Sequence, residues 1–214
     1  ACIIDNNTNY AVPYLLEALK NCGYTPENVS HIIITHVHLD HAGGTGLLAQ
    51  KCPNAVVVAH PRAAPHLIDP SRLVKSAQAV YGEENFKALY GDIVPVDEKR
   101  IVFPADGEVL NFGNRKLEFI YTRGHANHHF VINDKTSKSI FTGDSFGIAY
   151  PLLQHGKTPF LFPSTSPTDF DAHEARISYD KILNSGAEVA YPTHFGAWHD
   201  IPLGRKMLSA ALDE

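Results

Sequence analysis

The chain has 214 residues, 44% of them hydrophobic and 19% charged. That mix supplies a sizeable core and is too balanced for a disordered polymer. Lys and Arg number 18 against 23 Asp and Glu, a formal net charge of -5, so no basic field is available to hold nucleic acid. No apolar run reaches the length of a spanning helix, so no membrane partner is expected.

Cys2, Cys22 and Cys52 are odd in number and share no metal-ligand spacing. They speak against a disulfide framework and for a reducing compartment, and they are expected to behave as small buried hydrophobes. No charged and then apolar leader is visible, so a cytoplasmic location is the expectation. The unusual count is histidine, 13 residues, which makes its arrangement the first question.

Residues 1–4 read as a strand, and its abrupt start suggests upstream strands outside the given sequence. Residues 11–21 carry Leu15, Leu16 and Leu19 at helical spacing, with Gly23 as a stop. A buried strand is expected at 29–34, a short helix at 43–50 and a further strand at 55–59. This alternation argues for α/β layers. Residues 61–99 are punctuated by Pro61, Pro65, Pro70 and Pro95 and read as a helical insertion, with helices at 73–80 and 83–90. Strands at 117–121, 130–133 and 139–142 form a meander, followed by a Pro-rich loop at 151–167. Thr168 or Asp169 can cap a helix running to about residue 184, with Ile177, Ile182 and Leu183 inward. A last strand at 189–191 and a terminal helix at 205–212 complete a chain read as one domain.

The strand at 29–34 runs into Thr35-His36-Val37-His38-Leu39-Asp40-His41-Ala42-Gly43-Gly44. Alternation points His36 and His38 to one side, and the following turn swings Asp40 and His41 beside them. Four ligands so close exceed what one tetrahedral ion can use, leaving room for two ions. Gly43 and Gly44 are expected to let the backbone turn tightly. Three later strands each end on one more ligand type: Gly124-His125, Thr142-Gly143-Asp144 and Thr193-His194. Strand ends are where open α/β architectures build sites.

These motifs, with Phe195-Gly196 completing the last, resemble the metallo-β-lactamase superfamily in order and spacing over nearly the whole chain. The resemblance implies an αββα sandwich with a two-metal site along one edge of the sheets. Carried over by motif, His36, His38 and His125 would bind the first ion and Asp40, His41 and His194 the second, with Asp144 bridging them. Asp5 would support a ligand from behind. Two positions depart from the family pattern. The first strand ends Asp5-Asn6-Asn7 where Asp-Thr-Gly is frequent, and Thr122-Arg123-Gly124-His125 lacks the frequent Pro.

Two divalent ions can share a bridging hydroxide that attacks a carbonyl or phosphoryl centre. Asp40 is the candidate catalytic residue, ligating the second ion and orienting that hydroxide. Zinc suits the five imidazoles, and iron or manganese is compatible. Phe146 and Tyr150, with Phe160 and Phe162, would line a mostly apolar substrate pocket. His128 or His129 would enter the strand that follows as a satisfied core residue. The expected activity is hydrolysis of a small-molecule ester, lactone, thioester or phosphodiester. The alternative is a non-hydrolytic di-iron redox or oxygen-binding protein; flavodiiron relatives resemble His-x-Glu-x-Asp-His, and His38 stands at their Glu position.

Overall fold

A computed structural model describes residues 1–155, 159–194 and 196–213. The chain forms two compact units, 1–104 and 105–214.

In the first unit, β1 (Cys2–Ile4), β2 (His31–Ile33), β3 (Val56–Val58) and β4 (Ile101–Val102) form a parallel sheet in sequence order. Helix α1 (Val12–Asn21) links β1 to β2. The single turn α2 (Leu39–Ala42) and α3 (Thr45–Lys51) link β2 to β3. Parallel strands need such crossovers and are buried on both faces. Ile32, Val57, Leu48 and Val12 accordingly meet in one core. The expected insertion is present as α4 (Ala64–Ile68), α5 (Ser71–Tyr81) and α6 (Glu83–Tyr90). Sequence periodicity does not show β4, because two residues carry no period. Arg100 at its entrance donates to the carbonyls of Ala49, Cys52 and Ala55, tying the end of α3 to the start of β3.

In the second unit, β5 (Val109–Phe112), β6 (Arg115–Thr122), β7 (His129–Asp134) and β8 (Ser139–Gly143) form an antiparallel meander. After α7 (Ala172–Leu183), β9 (Val189–Pro192) joins the edge parallel to β8, and α8 (Ile201–Ala211) follows. Phe146, Tyr179, Ile182, Trp198 and Leu208 pack in its core. Both helices begin at aspartates that sequence reading did not select. Asp171 accepts from the Glu174 N–H at 3.0 Å, displacing Thr168 and Asp169 as the cap. Asp200 accepts from the Leu203 N–H at 2.9 Å, so the terminal helix starts at residue 201 rather than 205. With α7 starting there, Ala175, Ser178, Tyr179 and Ile182 face inward, and Ile177 points outward at 40% exposure. Of the cysteines, Cys52 is buried, whereas Cys22 is exposed. Burial pushes the Cys2 thiol up to about 12, against the pull of the N-terminal amine.

Candidate metal centre

In the first unit the ligand run leaves β2 and is folded by one helical turn. The His38 carbonyl accepts from the N–H groups of His41 and Ala42 at 3.0 and 2.9 Å. The rings of His38 and His41 thereby come to 4.4 and 4.1 Å from the His36 ring. The His36 Nε2 and His38 Nδ1 atoms lie 2.9 Å apart. Asp40 is the half-exposed member, with Oδ2 3.5 Å from His41 Nε2.

The residues behind these rings define their tautomers. The Thr35 hydroxyl donates to Asp5 Oδ2 at 2.9 Å, so at 3.0 Å it accepts the Nδ1–H of His36. His41 donates its Nδ1–H to Asp5 Oδ2 at 2.8 Å, while Asp5 Oδ1 accepts the Thr35 N–H at 2.8 Å. Neutral His36 and His41 therefore each present the lone pair of Nε2, which is the form a cation needs. Asp5 and Asn7 take left-handed φ values of 53° and 58°. Asn and Asp tolerate this region, so Asn7 replaces the frequent glycine without breaking the turn. Gly43 and Gly44 serve differently from expectation. Gly44 has an ordinary helical φ of -85°. The need is space: a Cβ there would meet Thr8 O at 2.9 Å and Asn6 Oδ1 at 3.0 Å.

In the second unit, three strand ends carry the remaining candidate ligands. β8 and β9 run parallel, so Asp144 and His194 leave the sheet side by side. The antiparallel β7 begins beside the end of β8, which brings His125 to the same edge. Gly124, at φ 103°, makes the turn into His125 that a proline often precedes in the family. A Cβ on it would lie 2.4 Å from backbone atoms of Ala175. His125 Nε2 is 3.4 Å from Asp144 Oδ2, and His194 Nε2 is 3.4 Å from Asp144 Oδ1. Donor atoms at about 2.0–2.1 Å around one tetrahedral ion sit about 3.3–3.4 Å from each other, so both spacings fit ligands sharing a cation. His125 donates its Nδ1–H to the Ser164 carbonyl at 3.0 Å, and the Ser164 hydroxyl donates to Asp144 Oδ2 at 3.1 Å.

Ser164 is the supporting residue that sequence reading missed; the Pro163-Ser164-Thr165-Ser166-Pro167 run was its only signal. Tyr90, at the end of α6, lies near enough to Asp40 to sense its charge. Burial, a hydrogen bond with Tyr81 and the nearby Asp40 carboxylate hold its phenol above the ordinary range. His129 is buried at the start of β7 and meets Thr122 Oγ1 at 2.8 Å and Ser145 Oγ at 3.1 Å. Phe146, expected along a pocket, is instead fully buried in the core against Tyr179, because Gly147 at φ 74° turns the chain back toward Leu208. Tyr150 is 44% exposed, with its ring 6.3 Å from that of His194. Phe195 of the last motif lies outside the described residues.

The chemistry of the donor set fits divalent cations: imidazoles held in the ligating tautomer and carboxylates at ligand spacing. None of the described helices is long and apolar enough to cross a membrane. A metallo-β-lactamase fold-containing protein of Sulfurisphaera tokodaii is 30% identical over 125 residues, 56% of this chain and 46% of its own length. An atrochrysone carboxyl ACP thioesterase of Aspergillus fumigatus is 26% identical over 171 residues, covering 78% of this chain and 38% of the thioesterase. An N-acyl homoserine lactonase of Bacillus cereus is 28% identical over 127 residues, 58% of this chain and 40% of the lactonase. The chain thus spans less than half of these relatives. An archaeal metallo-β-lactamase superfamily protein from Sulfolobus tokodaii shares the fold with a TM-score of 0.75 at 22% identity, over 99% of this chain and 74% of that one. A family protein from Thermus thermophilus gives 0.70 at 21%, over 97% and 69%. One family model, that of the metallo-β-lactamase superfamily, runs from residue 6 to residue 194 and so takes in all seven ligand positions. The chain belongs to that superfamily.

Proposed function

We propose that the chain is a single metallo-β-lactamase-like domain that hydrolyses a small-molecule ester, lactone, thioester or phosphodiester with two divalent ions. His36, His38 and His125 would hold one ion and Asp40, His41 and His194 the other, with Asp144 shared. The observation that carries this reading is the division of Asp144, whose two oxygens each face a different histidine at 3.4 Å. A carboxylate serving one ion has no need of that division. Five imidazoles and two carboxylates favour zinc.

When bound, such a pair supplies a water ionised near neutral pH and a Lewis acid for the electrophile's oxygen. The protein's own groups do the rest. Asp40, half exposed, can accept the proton of the attacking water at the oxygen turned away from His41. Asp5, Thr35 and Ser164 keep His36, His41 and His125 from rotating, so the donors need no reorganisation when substrate arrives.

The test is turnover on a panel of lactones, thioesters and phosphodiesters, with chelation abolishing it and zinc or manganese restoring it. Asp144→Asn keeps the shape and removes the charge, and should lose metal and turnover together. His173→Ala, exposed on α7, should lose neither. Oxygen-dependent colour in iron-loaded protein, with no hydrolysis under any metal, would move the assignment to the di-iron alternative.

A further inference from the structure

The loop between Asp144 and α7 buries Phe146, Ile148, Ala149 and Leu161 and leaves four other apolar side chains of its described residues exposed. Ile148 and Phe162 exchange both backbone hydrogen bonds, at 2.8 and 3.1 Å, and close its base. Gln154 closes the middle. Its Nε2 donates to the carbonyls of Phe160 at 2.7 Å and Tyr150 at 3.3 Å, and its Oε1 accepts the Phe160 N–H at 2.9 Å. What this frame displays is Leu152 at 89% exposure, Tyr150 at 44%, Phe160 at 43% and Leu153 at 40%. A loop that only connects two elements has no reason to spend a side-chain amide on holding aliphatic and aromatic groups in water, and exposed apolar groups gathered on one short segment mark a binding site.

Two observations say what binds. The aromatic members of the strip reach the proposed ligand His194, because the Tyr150 ring lies 6.3 Å from that of His194 and 6.0 Å from Phe162, which lies 5.5 Å from Phe160. The strip is also poor in charge: among residues 150–163 the sequence has no Asp, Glu or Arg and a single Lys, Lys157, which lies outside the described residues. A polyanionic substrate needs several cations, which this segment does not carry, whereas an alkyl chain needs none. Resting on the hydrolase reading above, we infer that Tyr150, Leu152, Leu153 and Phe160 form an acyl-chain shelf, and that the substrate is a carboxylic ester or thioester with a medium or long aliphatic acyl group. Water cleaves the acyl C–O or C–S bond, releasing an alcohol or thiol and a fatty acid whose chain lies on the shelf.

The probes are the acetyl and decanoyl p-nitrophenyl esters and free decanoate, with zinc-loaded protein and the double variant Leu152→Ser/Phe160→Ser. Both substituted side chains are exposed, and equal melting temperature and metal content verify the fold. The wild-type protein should prefer the decanoyl ester. The variant should lower the decanoyl-to-acetyl ratio of kcat/KM at least tenfold and weaken decanoate binding, measured by calorimetry, by a similar factor. Hydrolysis of both esters with an unchanged ratio and no decanoate binding would overturn the shelf and leave the hydrolase reading intact. Decanoate binding that the variant weakens, with no ester hydrolysed under any metal, would overturn the hydrolase reading and keep the shelf. A wild-type dimer that the variant converts to monomer, with an unchanged ratio, would assign the strip to a second copy of the chain and overturn the proposal.

Discussion

Single side chains behind the proposed ligands fix how those ligands are oriented. Asp5 holds the His41 ring and the Thr35 amide and hydroxyl at once. Asp5→Ala should therefore weaken metal binding about 10–100-fold, the usual effect of removing a group that orients a ligand. Competition against a chromogenic chelator measures it. Asn7 gives a finer test, since its φ of 58° is one that most side chains resist. Asn7→Ala should cost about 1 kcal/mol in urea unfolding, and Asn7→Gly should be nearly neutral. Asp5 could be singled out through the resemblance to the family, whose first strand often ends Asp-Thr-Gly. The left-handed turn could not, because Asn tolerates either hand and only the pairing of Asp5 with Ile33 and of Asn6 with His41 selects one.

At the scale of elements, the site depends on how helices press against strand ends. The Ser178 hydroxyl donates to the Arg123 carbonyl at 2.7 Å and accepts its N–H at 2.9 Å, and the Asp171 N–H donates to the Gly124 carbonyl at 2.9 Å. Helix α7 thus holds the segment that carries His125. Gly124→Ala would drive a Cβ into the backbone of that helix at 2.4 Å. The expected result is a loss of more than about 2 kcal/mol of stability together with weaker metal binding, because helix and ligand segment must separate to make room. Unfolding and metal titration of the same variant test both halves of that expectation. Strands β2, β3, β6, β7 and β8 were legible as apolar or alternating runs. β4 and β5 were not, one being two residues long and the other a half-exposed edge.

At the scale of the molecule, the seven proposed ligands exceed the capacity of a single tetrahedral ion. Metal analysis of saturated protein should approach about two ions per chain. Removing them should lower the melting temperature, because a cation bound only by the folded chain stabilises it by mass action. A plateau at one ion would overturn the shared role of Asp144. The same measurement at falling pH should show metal release as the ligand imidazoles take up protons.

The proposed ligand positions could be named from residue order because coordination demands particular atoms, and strand ends advertise themselves through the apolar runs before them. His36, His38, Asp40, His41, His125, Asp144 and His194 needed no contact information to be named. Their supports did. Ser164 reaches His125 through a backbone carbonyl 39 residues away, and any residue type could supply that atom. Phe146 and Tyr150 are both aromatics shortly after Asp144. One became core and the other surface only when Gly147 turned the chain and Tyr179 packed against Phe146. Residue chemistry is local and survives in the sequence. Which side of a turn faces the core is decided by what arrives from far along the chain.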